Sequence, residues 1–479
     1  MLTPMNDTEW INLIRTGKCA VVGLGRSNLP LIDFLLSKGA CVVARDQKTR
    51  KQLGNICTEL EAKGVVLMTG EEYLDRLDED IIFRTPALRP DLPAFAAALA
   101  RGARLTSEME LFLELCPATV VGITGSDGKT TTTTVTGLLL EAACQKRGYG
   151  RVWVGGNIGQ PLLPFVEQMS ENDFAVVELS SFQLQTMRKS AHRAAITNVT
   201  PNHLNWHTDM AEYTDAKTNI YRHAPCQMLV ANAENEITQT LGKAFDRPVC
   251  WFSSVRTAPS DFQDLCRQQD RAVYLSNGCV TLWDGKKEIP LLDRQRIILP
   301  GTHNLENYMT AIALCSKWVT PDTIDAVASS FGGVRHRLER VRVLDGVTYY
   351  NSSIDSTPTR TAAALSALDP ARPIVICGGY DKHVPFEPLA ESLYQHAKAV
   401  VLTGATADAI FAALSRRAEA NQKNLPIYRE SDFECAVRKA HSLAIAGDSV
   451  LLSPACASFD AFRDFEERGD RFCEIVNNL

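Results

Sequence analysis

At 479 residues the chain exceeds one ordinary domain and predicts two to four. Its 45 % hydrophobic content is ample for several cores, and a net charge of −6 gives no basis for nucleic acid or an acidic membrane as partner. No apolar run nears the ~18–20 residues of a membrane span, the polar opening MLTPMNDTEW lacks a signal-peptide core, and the 14 cysteines are scattered singly, which predicts free thiols in a reducing cytoplasm rather than disulfides.

The first segment, 1–107, carries CAVVGLGRSNLPLIDFLLSKGACVVARD. An apolar run meets Gly23-Leu24-Gly25, an amphipathic helix follows, and a second apolar run ends at Asp46. That order predicts a β-turn-α-β unit of Rossmann type, with an acid at the tip of its second strand. Asn28 stands where the dinucleotide fingerprint has its third glycine. The alternative is a plain α/β turn with no ligand.

The second segment, 108–333, opens on a strand and GITGSDGKTTTTT, Gly122 to Thr134. The common phosphate-loop spacing would need Gly at position 123, where Ile123 stands. The physical requirements are nevertheless met. Gly125 and Gly128 let backbone N–H groups approach an anion, a helix start follows, Lys129 is the cation and Thr130 a metal-ligating hydroxyl. The β-branched run from Thr130 is poor helix material, as expected of a first turn placed by packing and ligand.

Four clusters follow. AVVELSSFQL predicts a strand ending at Glu178, where a carboxylate can hold Mg²⁺ or simply be solvated. AAITNVTPNHLNWH leads a strand into a loop with His203 and His207. A zinc helix would need Glu at position 204, but Leu204 is there, so His207 reads as structural or surface and His203 as structural or a substrate or metal contact. YTDAKTNIY places Lys217 on a helix, by itself a solvated lysine. GTHNLENYMTA puts Asn304 and Asn307 on one helix face. The third segment, 334–479, restarts an α/β rhythm, with PIVICGGYD, AVVLTGAT and SVLLSPACAS as strands ending in small polar residues. Function in open α/β sheets gathers at such ends.

The succession TGSDGKTT, ELSSFQL, TNVTPNHL, YxxAK, GxHNxxN, HRLE, GGYDKHVPFEPL and SPACASFDAFRDFEERG resembles the Mur ligases, the ATP-dependent amide-forming enzymes of peptidoglycan synthesis, over nearly the whole chain. ELSSFQL and SPACASFD resemble the branch that adds D-glutamate. The D-N-P-R motif of the branch adding diaminopimelate or lysine is absent. The resemblance implies an α/β fold of three domains: a Rossmann-like N-terminal domain for the UDP substrate, a central P-loop ATPase-like domain, and a Rossmann-like C-terminal domain for the amino acid. It implies that ATP phosphorylates the alanyl carboxylate of UDP-N-acetylmuramoyl-L-alanine and that the amine of D-glutamate attacks the acyl phosphate. The substrates so implied are small molecules; the cytoplasm is expected from the missing signal core and scattered cysteines, and a monomer is the default expectation.

Residue by residue, the resemblance implies catalytic roles for Lys129, Glu178, His203 and Lys217. ATP contacts fall on Gly125, Ser126, Asp127, Gly128, Lys129, Thr130, Thr131, Asn304, Asn307, Arg337 and Ser352. UDP-substrate contacts fall on Arg26, Ser27, Asp46, Gln47, Ala87, Asn157 and His203, and D-glutamate contacts on Ser356, Lys382, Ser458, Phe459 and Phe465. Two Mg²⁺ ions are implied, one at Thr130 and Glu178, the other at His203 and a carbamylated Lys217. Two positions depart from the family pattern: Ser352 stands for an acid facing the ribose, and Ala87 for a glycine. Three other readings are a paralogue that binds without turnover, another amide ligase of the Mur or folylpolyglutamate type, and a NAD-dependent reductase. The last leaves the central segment unexplained.

Overall fold

The computed structural model describes residues 6–382, 384–421 and 425–479, so part of the polar opening lies outside it. The chain is α/β and divides into two compact units, Met1–Arg296 with Leu305–Val327, and Ile297–Asn304 with Ala328–Leu479.

The first unit holds two sheets. The smaller has the order Val66–Thr69, Cys41–Asp46, Lys18–Val22, Ile81–Arg84, Arg104–Thr106, all parallel. Strand order reverses at Lys18–Val22, and the crevice beyond Val22 and Arg84 is where such sheets bind ligands. Gly23 makes the turn there with φ +89°, and a Cβ on it would lie 2.7 Å from Thr85 Cγ2, so only glycine fits. Asn28 replaces the missing glycine with a staple: its Nδ2 donates to Gly23 O at 2.8 Å.

The larger sheet runs Glu288–Asp293, Cys279–Trp283, Arg271–Ser276, Val249–Ser253, Met228–Asn232, Arg193–Ile196, Thr119–Thr124, Phe174–Glu178, Val152–Gly156. Its parallel part spans Arg271–Ser276 to Val152–Gly156, and two antiparallel strands extend one edge. Buried Val, Ile, Leu and Ala fill its strands, as sheets covered on both faces require. One apolar cluster runs from Trp10 through Phe112 to Trp251, so the cores of both sheets are continuous.

Helix Glu108–Leu115 follows the last strand of the smaller sheet and precedes Thr119–Thr124 in the chain, and is buried nearly all round. Glu108 is 5 % exposed, its Oε1 has no hydrogen-bond partner, and burial pushes its carboxyl up to about 7 against the opposing N–H of Leu163. The raised folded value means a penalty present in full above pH 7 and removed as pH falls toward the ordinary 4.5. Glu108→Gln is therefore expected to stabilise the protein by roughly 1–3 kcal/mol at pH 8 and by almost nothing near pH 4.5. Urea melts at the two pH values check this; equal effects at both would refute it.

The second unit contains the sheet Glu339–Leu344, Val347–Asn351, Ser449–Leu452, Ile374–Cys377, Ala399–Leu402, Ile427–Arg429, parallel except for its first strand. Apolar clusters cover both faces, one around Leu365, Leu389 and Leu414, the other around Tyr349, Val437 and Phe472.

Candidate active site

Strand register assembles the central site. Thr119–Thr124 is flanked by Phe174–Glu178 on one side and Arg193–Ile196 on the other, with Ile123 level with Glu178 and Thr124 level with Ile196. Three chain segments therefore leave the sheet side by side at its carboxyl edge: the phosphate loop, the stretch after Glu178, and the loop to His203.

The loop's glycines are dictated by crowding. A Cβ on Gly125 would lie 1.8 Å from Thr197 Oγ1, and one on Gly128, at φ +78°, would lie 2.4 Å from Asn307 Oδ1. The loop's shape is held from the neighbouring strand. Asn198 Oδ1 accepts from Ser126 N at 3.2 Å and Asp127 N at 2.9 Å, and Thr197 Oγ1 donates to Asp127 O at 2.6 Å. Ser126 Oγ is 3.0 Å from Tyr213 Oη. Asn198 and Tyr213 stand inside quoted motifs, yet only the fold shows that they shape the loop. The helix begins at Lys129, and Thr132, Thr133 and Thr136 are fully buried, so packing overrides their low helix propensity. Lys129 Nζ donates to Ser126 O at 2.9 Å, which lays its ammonium over the loop. Thr130 and Thr131 follow in the half-buried first turn.

Glu178 is 2 % exposed. Its Oε1 accepts from Asn157 Nδ2 at 2.9 Å, while Oε2 is buried without a hydrogen-bond partner. A buried carboxylate oxygen left open in this way suits a hard cation. Asn157, assigned by resemblance to the UDP substrate, is thus bonded to the metal candidate, through its backbone N–H to Glu178 O as well.

Lys217 is 1 % exposed, inside the helix Met210–Thr218. Its Nζ donates to Gly125 O at 2.9 Å and lies 4.5 Å from the centre of the Tyr213 ring. Burial, aided by the charge of Lys129, holds its ammonium well below the ordinary lysine range. The solvated-lysine reading is therefore excluded. His203 is exposed at φ +55°, 4.9 Å from the Phe182 ring centre, and partial desolvation of its ring, with Lys129 and Lys217 nearby, lowers its pKa. His207 is structural: fully enclosed, it pairs with Ser181 Oγ at 2.9 Å and stacks on Phe182. Among the described residues no group of three or more His, Cys, Asp or Glu is arranged to hold a metal ion.

On the smaller sheet, Arg26, Gln47 and Ala87 are exposed and Ser27 is half-buried, all at the carboxyl edge. Asp46 is buried, and its two oxygens accept from Leu24 N at 2.6 Å and Lys48 N at 2.8 Å. It shapes the turn, a role the sequence did not disclose.

Helix Thr302–Cys315 passes from the second unit into the first. Asn307, in the first, is buried against Gly128 and accepts from Thr132 Oγ1 at 3.2 Å, whereas Asn304 donates back to Pro300 O at 2.7 Å.

In the second unit Lys382 Nζ lies 3.4 Å from Ser356 Oγ, which brings two of the D-glutamate candidates together. Phe459 is 64 % exposed and meets Tyr380 edge-on at 5.9 Å. Ser458 is buried, and Phe465 is half-buried against His336. Arg468, missed from sequence, is 2 % exposed and donates to Ser353, Cys456 and Ala457 carbonyls, tying the loops around this patch. Arg337 is exposed. Ser352 is 1 % exposed, and its Oγ accepts from Leu338 N at 3.1 Å. Its hydroxyl faces inward, beside Asp355, whose carboxyl burial pushes up to about 6.

Residues 123–315 match the model of the Mur ligase middle domain, and 336–456 that of the Mur ligase glutamate ligase domain. The UDP-N-acetylmuramoylalanine–D-glutamate ligases of Clostridium novyi and Clostridium perfringens are each 46 % identical over 474 residues, covering 98 % of this chain and 99 % of theirs. The UDP-N-acetylmuramate-alanine ligase of Thermotoga maritima shares the fold, with a TM-score of 0.53 at 19 % identity over 96 % of this chain and 99 % of that one. These likenesses place the chain in one family: it belongs to the Mur ligases, among the UDP-N-acetylmuramoylalanine–D-glutamate ligases.

Proposed function

We propose that the chain joins the amine of D-glutamate to the alanyl carboxylate of UDP-N-acetylmuramoyl-L-alanine, with ATP as phosphoryl donor and an acyl phosphate between the two steps. The observation that carries this is the union, on one sheet edge, of a phosphate loop, a carboxylate with an open buried oxygen, and a buried lysine.

The reaction must bring two anions, the nucleotide and a carboxylate, into contact. Gly125 to Thr131 would hold the ATP phosphates through backbone N–H groups and the helix start, with Lys129 reaching the outer ones. Glu178 Oε2 fits a divalent cation, so Thr130 and Glu178 would hold one Mg²⁺. His203 and a carbamylated Lys217 would hold a second. Such ions offset the charge repulsion between the reacting groups. Lys217 is suited to carbamylation, because its depressed pKa favours the neutral amine that adds to CO₂ with loss of a proton. Arg26, Ser27, Asp46, Gln47, Ala87 and Asn157 are assigned to the UDP substrate, Asp46 through the turn it shapes. Asn304, Asn307, Arg337 and Ser352 are assigned to the nucleotide. Ser356, Lys382, Ser458, Phe459 and Phe465 are assigned to D-glutamate. The three sheets would serve as three domains, 1–107, 108–333 and 334–479. We take the enzyme to act as a cytoplasmic monomer.

The test is phosphate release from ATP that requires both the UDP substrate and D-glutamate; release without either would contradict the reading. Lys382→Ala is expected to raise KM for D-glutamate about ten- to a hundred-fold, the value of a charge-assisted contact of ~1.5–3 kcal/mol, with KM for ATP unchanged. Equal weakening for every substrate would remove Lys382 from the amino-acid site.

A further inference from the structure

The segment after strand Ile81–Arg84 reaches across the first unit to the loop that carries His203, and one arginine makes the connection. Arg89 NH2 donates to Glu212 Oε1 at 3.0 Å, NH1 donates to Trp206 O at 2.5 Å, and the guanidinium lies 5.3 Å from the centre of the Trp206 ring. Its remaining donors hold Asp91 at 2.8 Å. Trp206 Nε1 in turn donates to Ala87 O at 3.0 Å.

Glu212 is the receiving hub. It also accepts from Thr208 N at 2.6 Å and Gln185 Nε2 at 2.7 Å, and its own N–H is capped by Asp209 at 2.8 Å. Burial would push its carboxyl up, but the Arg89 and Thr208 hydrogen bonds outweigh this and lower it. Glu212 stands in the first turn of the helix that carries Lys217. Both Trp206 N and His207 N donate to His203 O at 3.0 Å, so the turn fixed through Trp206 closes on His203 itself.

We propose that Arg89 is a positioning residue: it locks the turn 203–208 and the start of the Lys217 helix against the smaller sheet, and so sets where His203 stands relative to the acceptor carboxylate. The inference rests on the ligase reading for its substrate. A lost bidentate guanidinium would leave Glu212 without its cation and Trp206 held to this segment by its Nε1 bond to Ala87 O alone, while the phosphate loop, held by Asn198 and Thr197, would stay in place.

The experiment compares Arg89→Met, Arg89→Lys, Glu212→Gln and Asp91→Asn with the intact enzyme. Arg89→Met is expected to lower kcat about 10–100-fold with the KM values for ATP and D-glutamate within about twofold. Arg89→Lys should recover part of the loss, and Asp91→Asn should act like the parent. Adding Glu212→Gln to Arg89→Met should cost little more, because both break one connection. Carbethoxylation of His203, followed by peptide mass spectrometry, supplies a readout that needs no turnover: it should be several-fold faster in Arg89→Met and unchanged in Asp91→Asn. An inactive parent enzyme would overturn the ligase reading alone. Unchanged His203 reactivity, or a rise in every KM together with a lost melting transition, would overturn the positioning role.

Discussion

Lys129→Ala is expected to lower turnover by about 10³-fold or more while the melting temperature stays within a few degrees of the parent. The ammonium lies over Ser126 O at the start of the helix, where an incoming nucleotide's outer phosphates would meet it. In such a site a preorganised cation acts on charge that develops during phosphoryl transfer, so its removal shows in kcat more than in ground-state binding. Little stability depends on it, because Asn198, Thr197 and Tyr213 hold the loop without it. Removal should also relieve Lys217, whose ammonium Lys129 disfavours. Phosphate release measured against a thermal melt decides the matter. Near-parental turnover would refute the loop assignment, and a collapsed melt would make Lys129 a structural residue.

Lys217→Ala should lower activity about 10²–10³-fold. An unmodified ammonium in that place would repel a divalent cation, whereas a carbamate supplies oxygen ligands and keeps an N–H for Gly125 O. Depleting CO₂ should reproduce much of the loss in the parent enzyme, and bicarbonate should restore it. After exchange with carbon-13 bicarbonate, a carbamate resonance should appear in the parent and be missing from Lys217→Ala. Full activity of the variant, or no resonance in an active parent, would sink the modification.

The chemistry-bearing residues were legible where local signals coincide. Gly125 to Thr130 follow a strand and open a helix, and Glu178 ends a strand, so their place at one sheet edge follows from parallel pairing. Other features depend on distant partners and leave no local trace. Arg89 meets Trp206 and Glu212 at separations of 117 and 123 residues. The core shared by the first two sheets joins segments that read as separate in sequence. Lys217 looked solvated because helical position alone says nothing of burial; only the packing of its helix against the phosphate loop removes it from water. The bond from Leu338 N to Ser352 Oγ likewise joins residues whose pairing no local pattern announces.

The central claim is that the alanyl carboxylate is phosphorylated and then attacked by an amine. Oxygen-18 in that carboxylate tests it most directly. A carboxylate oxygen that attacks the γ-phosphorus leaves with phosphate when the amide forms, so the account predicts one labelled oxygen in the released phosphate and one in the new amide, with a stoichiometric yield of ADP. Label retained wholly in the sugar-peptide, or phosphate released unlabelled alongside product, would contradict it.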